Sequence, residues 1–129
     1  MWVIHDYTLI ANVAYVKGGT TISYEEIRDF YKILGKNLVE NNIPFLYESE
    51  DENVFEVFGH TFIRTHDEVM LVNAMDEKFM ESVNYYDDEI KKIIEDSRND
   101  YFLDHTIQGK KIKEIILRRG GQDEIQLSN

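Results

Sequence analysis

The chain has 129 residues, 43% of them hydrophobic and 12% aromatic, and a formal net charge of −11. It has no cysteine, which excludes disulfides, thiolate zinc sites and Cys nucleophiles. The apolar content argues against disorder, and the length suits one domain able to bury roughly two-thirds of its unfolded surface.

Residues 2–16 are rich in Val, Ile, Tyr and Thr and read as a strand bent near Asp6. Met1–Asp6 lacks the basic start of a signal peptide. The longest apolar stretch, Leu9–Val16, has eight residues, far short of the ~20 that span a bilayer. Cytoplasm is the expected location. Ser23 and Glu26 then form a capping box, with Ile22 and Ile27 at the staple positions. Ile27, Phe30, Tyr31, Leu34 and Leu38 repeat at helical spacing, which predicts a helix over 24–40. A three-stranded antiparallel meander is predicted next, from Phe45–Ser49, Val54–Thr65 and Val69–Ala74. Its middle strand is apolar on both parities and therefore central, with Gly59 marking a bulge.

Phe79 and Val83 suggest a helical stretch over 76–85. A second helix is predicted over 87–99. Asp87, Asp88 and Glu89 crowd its first turn, where the helix dipole favours acids, and Ile90, Ile93, Ile94 and Tyr101 form its inward stripe. Ile112–Arg119 and Asp123–Leu127 flank Gly120-Gly121, which predicts a C-terminal β-hairpin with a primed turn. Helix over 110–119 is the alternative, since Ile112, Ile115, Ile116 and Arg119 also fit period 3.6. The expected class is α+β in a single compact domain: strand, helix, meander, helix, C-terminal β-hairpin.

The negative charge is regional. Residues 47–100 hold 16 of the 25 Asp and Glu but only 5 of the 14 Lys and Arg. A one-signed field repels nucleic acid and acidic membrane and steers a basic partner. Tyr85 and Tyr86 lie among these acids, and aromatics beside carboxylates suit a surface that meets Arg and Lys.

Other motifs carry less. His5-Asp6, His66-Asp67 and Asp104-His105 suggest a metal site or general base, but neighbours on a strand point to opposite faces. The loop Lys17–Thr21 precedes a helix, as phosphate loops do, yet it lacks both glycine-rich phosphate patterns, and Glu25-Glu26 repel an anion. Asp87-Asp88-Glu89 with Lys91 contains an acid-x-Lys triplet that capping already explains. The bases Lys110, Lys111, Lys113, Arg118 and Arg119 are interleaved with acids and suit pairing with the acidic middle.

Helix–three strands–helix is also the order of double-stranded-RNA-binding domains, whose bases contact phosphate; the acids over 76–99 exclude that activity. Small acidic α+β proteins made by phages to block nucleases by mimicking nucleic acid share order and charge, an analogy of architecture that carries no residues over. The expected function is a non-enzymatic intracellular binding protein, an inhibitor, immunity-type or regulatory protein. It docks Glu50, Asp51, Glu52, Asp67, Glu68, Glu81, Tyr85, Tyr86, Asp87 and Asp88 on a basic protein surface, for which a nucleic-acid-binding protein is a candidate. No direct nucleic acid, membrane, metal or cofactor is expected. The alternatives are a structural or assembly subunit of a virion or homo-oligomer, and a small metal-dependent enzyme using His60, His66 and His105.

Overall fold

A computed structural model of the protein describes residues 1–57, 59–72 and 87–128, with 120–128 described as backbone. It is mixed α+β. Among the described residues there are six strands in two sheets and four helices.

Strand β1 (Trp2–His5) is followed directly by helix α1 (Asp6–Lys17), so the strand predicted over 2–16 is only four residues long. The reason is burial on every side. Asp6, Thr8, Leu9, Ile10, Ala11, Asn12, Val13 and Ala14 are all buried. Residues 8–14 thus have no 3.6-residue pattern to display, and the helix meets solvent chiefly at Tyr15 and Lys17 near its end. Gly18, at φ 74°, ends it by donating its N–H to the Ala14 carbonyl, the left-handed stop that glycine supplies.

Strand β2 (Thr21–Ser23) leads into α2 (Tyr24–Glu40), over the predicted span. Glu26 N donates to Ser23 Oγ at 3.2 Å, and Ser23 N donates to Glu26 Oε1 at 3.1 Å. Ile27, Phe30, Leu34 and Leu38 form its buried stripe, and the staple residue Ile22 is fully buried.

Strand β3 (Phe45–Glu48) leaves the expected meander. It pairs parallel with β1, Trp2 opposite Phe45 and His5 opposite Glu48. The predicted strand over 54–65 is two strands, β4 (Val54–Val57) and β5 (His60–Arg64), which pair antiparallel. Gly59, at φ 78°, lies at the fold-back instead of at a bulge. Strand β6 (Glu68–Leu71) joins β5, and β2 completes the order β2-β6-β5-β4. The meander is therefore β4-β5-β6, with β5 central. Ile22, Phe55, Phe62, Val69 and Leu71 point into the core.

Helix α3 (Asp88–His105) buries Ile90, Ile93, Ile94, Ser97 and Tyr101 and runs six residues past the predicted end at 99; within that extension Tyr101 meets Phe30 edge-on. The C-terminal hairpin is not formed: α4 (Ile107–Ser128) is one helix through Gly120-Gly121. The helical spacing of Ile112, Ile115 and Ile116 prevails, although each glycine costs about 1 kcal/mol against alanine. The helical stretch predicted over 76–85 lies outside the described residues.

Candidate functional site

The strand-to-helix junction at β1–α1 places Asp6 in the first turn of α1, 3% exposed. A buried carboxylate must be fully hydrogen-bonded to persist, and Asp6 is. Tyr47 donates its hydroxyl to Oδ1; Ser49 Oγ and Glu50 N donate to Oδ2 at 2.9 and 2.8 Å. Arg64 Nη2 also donates to Oδ2, at 2.5 Å. Burial by itself would raise the Asp6 pKa; the Tyr47 hydroxyl, Arg64 guanidinium, Glu50 N–H and Ser49 hydroxyl outweigh it and hold the group below its ordinary value. Burial and the Asp6 charge push the Tyr47 hydroxyl upward.

This hub fastens the loop after β3 to the end of β5. Arg64 N donates to the Asn53 carbonyl at 2.6 Å, Thr65 N to the Glu68 carbonyl at 2.8 Å, and Tyr24 Oη to the Thr65 carbonyl at 2.8 Å. The 49–53 loop and the 65–67 turn therefore lie at one end of the four-stranded sheet. Glu50, Asp51, Glu52, Asp67 and Glu68 come together there, with Glu48 on the adjoining strand. Asp51, Glu52 and Asp67 are exposed, and Glu50 and Glu68 half-buried. Arg64 at this end is committed to Asp6.

Asp87 and Asp88 lie elsewhere. Helix α3 runs antiparallel to α2: Asn37 donates to Ser97 Oγ at 3.0 Å and Asp100 Oδ2 at 3.2 Å, and His105 Nε2 is 3.4 Å from Asp29. The start of α3 thus faces the end of α2. Strand β3 runs back along α2, with Tyr31 against Phe45 and Tyr47, and carries Glu48 and the loop after it toward the start of α2. Most of the ~25 Å length of α2 lies between the two acid groups. Asp87 also works locally: its Oδ1 accepts from Ile90 N at 3.0 Å as the cap of α3. Glu81, Tyr85 and Tyr86 lie outside the described residues.

The histidines are dispersed. His60 begins β5, and His66 lies in the turn beyond its other end. His105 ends α3, stacked on Tyr101 with Nδ1 3.1 Å from the Tyr101 carbonyl. Among the described residues, no group of three or more His, Cys, Asp or Glu side chains is placed to hold a metal ion. Lys17 of the glycine loop bonds Glu26 at 3.0 Å and the Thr21 carbonyl at 2.8 Å. Burial would raise Glu26, but the Ser23 N–H, Lys17 and the Ser23 hydroxyl hold it low. The Tyr101 hydroxyl is pushed upward by burial, Glu26 and Asp29. A groove of about 410 Å³ lined by Tyr15, Val16, Glu95, Arg98, Asn99 and Phe102 holds Arg98 over the Tyr15 ring at 4.9 Å.

Sequence reasoning missed the Asp6 hub, whose partners are 41 to 58 residues away; the one local signal is an acid between a strand and an apolar run. No described helix is long and apolar enough to cross a membrane. No family model matches the chain, nor does any curated protein or solved structure.

Proposed function

We propose that the protein is a non-enzymatic intracellular binding protein, an inhibitor or regulator that docks the acidic end of its sheet on a basic protein surface. The observation that carries this reading is the convergence of two acidic loops, 49–53 and 65–67, at one end of the sheet around the Asp6 hub. Fixing a loop before binding removes part of the ordering cost of association. Exposed carboxylates of one sign steer a basic partner and raise its on-rate. Nucleic-acid-binding proteins present such basic surfaces, which makes them the partner class of first choice.

The test is a pull-down from the native host with elution by a salt gradient, followed by kinetics with the captured protein. Exposed charge is screened beyond about 8 Å at physiological ionic strength, so affinity falls steeply with salt. A Glu50→Gln/Asp51→Asn/Glu52→Gln/Asp67→Asn variant associates at least several-fold more slowly, with its melting curve unchanged. An affinity indifferent to salt and to these four substitutions overturns the reading.

A further inference from the structure

The four-stranded sheet has a second face on which none of the described helices packs. Alternation along the strands places Val54, Glu56, Thr61, Ile63, Glu68, Met70, Val72 and Thr21 opposite the buried set. The register aligns Val54, Ile63, Met70 and Thr21 in one row across all four strands. Val54 is 56% exposed, Val72 52% and Met70 38%. This is a continuous apolar stripe with Glu56 and Glu68 at its sides. Sheets bury such a stripe against another layer.

Helix α4 has the complementary surface. Its main neighbour is α3, and residues 110–119 are all exposed. Ile112, Ile115 and Ile116 are one turn apart, the last two 49% and 55% exposed. Around them residues 107–119 hold Lys110, Lys111, Lys113, Arg118 and Arg119 against one acid, Glu114. Lys113 pairs with Asp104 and Arg118 with Glu114, and no ion pair engages Lys110, Lys111 or Arg119 within the described residues. A basic helix in a chain of net charge −11 finds its opposite charge on every other copy of that chain.

Helix α4 packs on α3 and not on its own sheet. Thr106 Oγ1 bonds the Phe102 carbonyl and accepts from Gly109 N, each at 2.8 Å. A Cβ at Gly109 would collide with the Phe102 carbonyl, so α4 leaves α3 at a fixed, close-packed angle. The core joins α3 with α1 and α2 to the inner face of the sheet.

We propose that α4 of one copy lies across the outer face of the four-stranded sheet of a second copy, with Ile112, Ile115 and Ile116 on the Val54–Ile63–Met70 row and its lysines beside Glu56 and Glu68. The dimensions agree: 13 helical residues extend about 20 Å, and four strands span about 14 Å between outer axes. Given and received reciprocally, the contact closes with two-fold symmetry. This does not rest on the acidic-end reading. The apolar stripes carry it, and Asp51, Glu52 and Asp67 in the end loops stay outside the covered face.

Sedimentation equilibrium of the full chain from micromolar to sub-millimolar concentration tests it. A reversible dimer is expected, with a dissociation constant that rises about tenfold or more between low and moderate salt. The helix variant Ile115→Glu/Ile116→Glu and the sheet variant Val54→Lys/Met70→Lys are each expected to be monomeric, with circular dichroism unchanged and melting equal to that of wild type at concentrations where the wild type is itself monomeric, because all four positions are exposed. Mixed in equal amounts they regain a heterodimer through the one intact helix–sheet pair, held more weakly than the parent dimer. A wild type that stays monomeric throughout overturns the proposal. So does a sheet variant that still dimerises, which would mean helix pairing with helix, or a mixture that stays monomeric.

Discussion

Replacing Asp6 by Asn tests the junction on which the acidic end is built. Asn is nearly isosteric, so it removes the charge and little else. With its oxygen in the Oδ2 position the side chain still accepts from Ser49, Glu50 N and Arg64, and the Tyr47 hydroxyl rotates to accept from the amide. What is lost is the charge opposite Arg64, and with it the charge-assisted character of the three hydrogen bonds from the neutral donors Tyr47, Ser49 and Glu50 N, each stronger by about 1 kcal/mol than its neutral counterpart. Breaking a buried pair by neutralising one partner costs about 3–5 kcal/mol. The Arg64 side chain is 19% exposed, so water relieves part of its isolation and the expectation is about 3 kcal/mol. At this chain length that corresponds to a melting temperature lower by about 10 °C.

Acid supplies an independent arm. A carboxylate held below its ordinary value of 3.8 contributes stability that is fully present above that value and lost as pH falls through the folded-state pKa. The gap between wild type and Asp6→Asn is therefore widest at neutral pH and narrows on acidification below about pH 4. Urea titrations at several pH values measure it. Asp6→Asn/Arg64→Met leaves no unpaired charge and should cost less than the sum of its singles. A loss under about 1 kcal/mol at neutral pH, or a gap that ignores acid, would refute the assignment.

Two glycines are expected to behave oppositely. Gly109→Ala drives a methyl into the Phe102 carbonyl and should cost at least about 2 kcal/mol while making the α3–α4 junction protease-sensitive. Gly35→Ala meets only the tip of the Phe45 ring at 3.4 Å, and should be neutral or stabilise α2 by up to about 1 kcal/mol in thermal melts. Asp87→Ala removes the cap on Ile90 N and should lower stability by about 1 kcal/mol, whereas Asp88→Asn, which leaves the cap in place, should cost a few tenths by calorimetry. Neutralising Glu50, Asp51 and Glu52 to Gln, Asn and Gln relieves like-charge repulsion; stability should stay within about 0.5 kcal/mol or rise, and a clearly lower melting temperature would show a structural partner for those acids.

The residues that announced their structure are those whose signals are local. Ser23, Glu26, Ile22 and Ile27 state the start of α2 within six positions, and its one-sided stripe gives the period. Asp87 likewise marks the start of α3. Helix α1 was illegible because Leu9–Val16 is apolar without interruption except Asn12, which is itself buried and bonds the Thr8 carbonyl at 2.6 Å; a helix buried all round and a buried strand look the same. Strand β3 was recognised as a strand but assigned to the wrong sheet, as the first strand of the meander, because its partner is 43 residues earlier and parallel. Of the acidic residues, the sequence identified the loops but not their meeting, which depends on Asp6 reaching Arg64. In α4, Gly120-Gly121 carries a turn signal that the flanking helical spacing overrides.

The parallel pairing of Trp2–His5 with Phe45–Glu48 also imposes an order of events during synthesis. The first strand leaves the ribosome some forty residues before the segment that completes it. At about 5–20 residues per second that delay is roughly 2–9 s. For the first part of it α2 (Tyr24–Glu40) is unfinished, and α3 (Asp88–His105) is still unmade when it ends, so the apolar run Leu9–Val16 is incompletely covered, and an uncovered run of that kind is where nascent chains associate wrongly. The yield of folded protein should therefore depend on how fast residues 17–48 are translated, and codons that slow that stretch should lower it without altering the stability of the finished molecule.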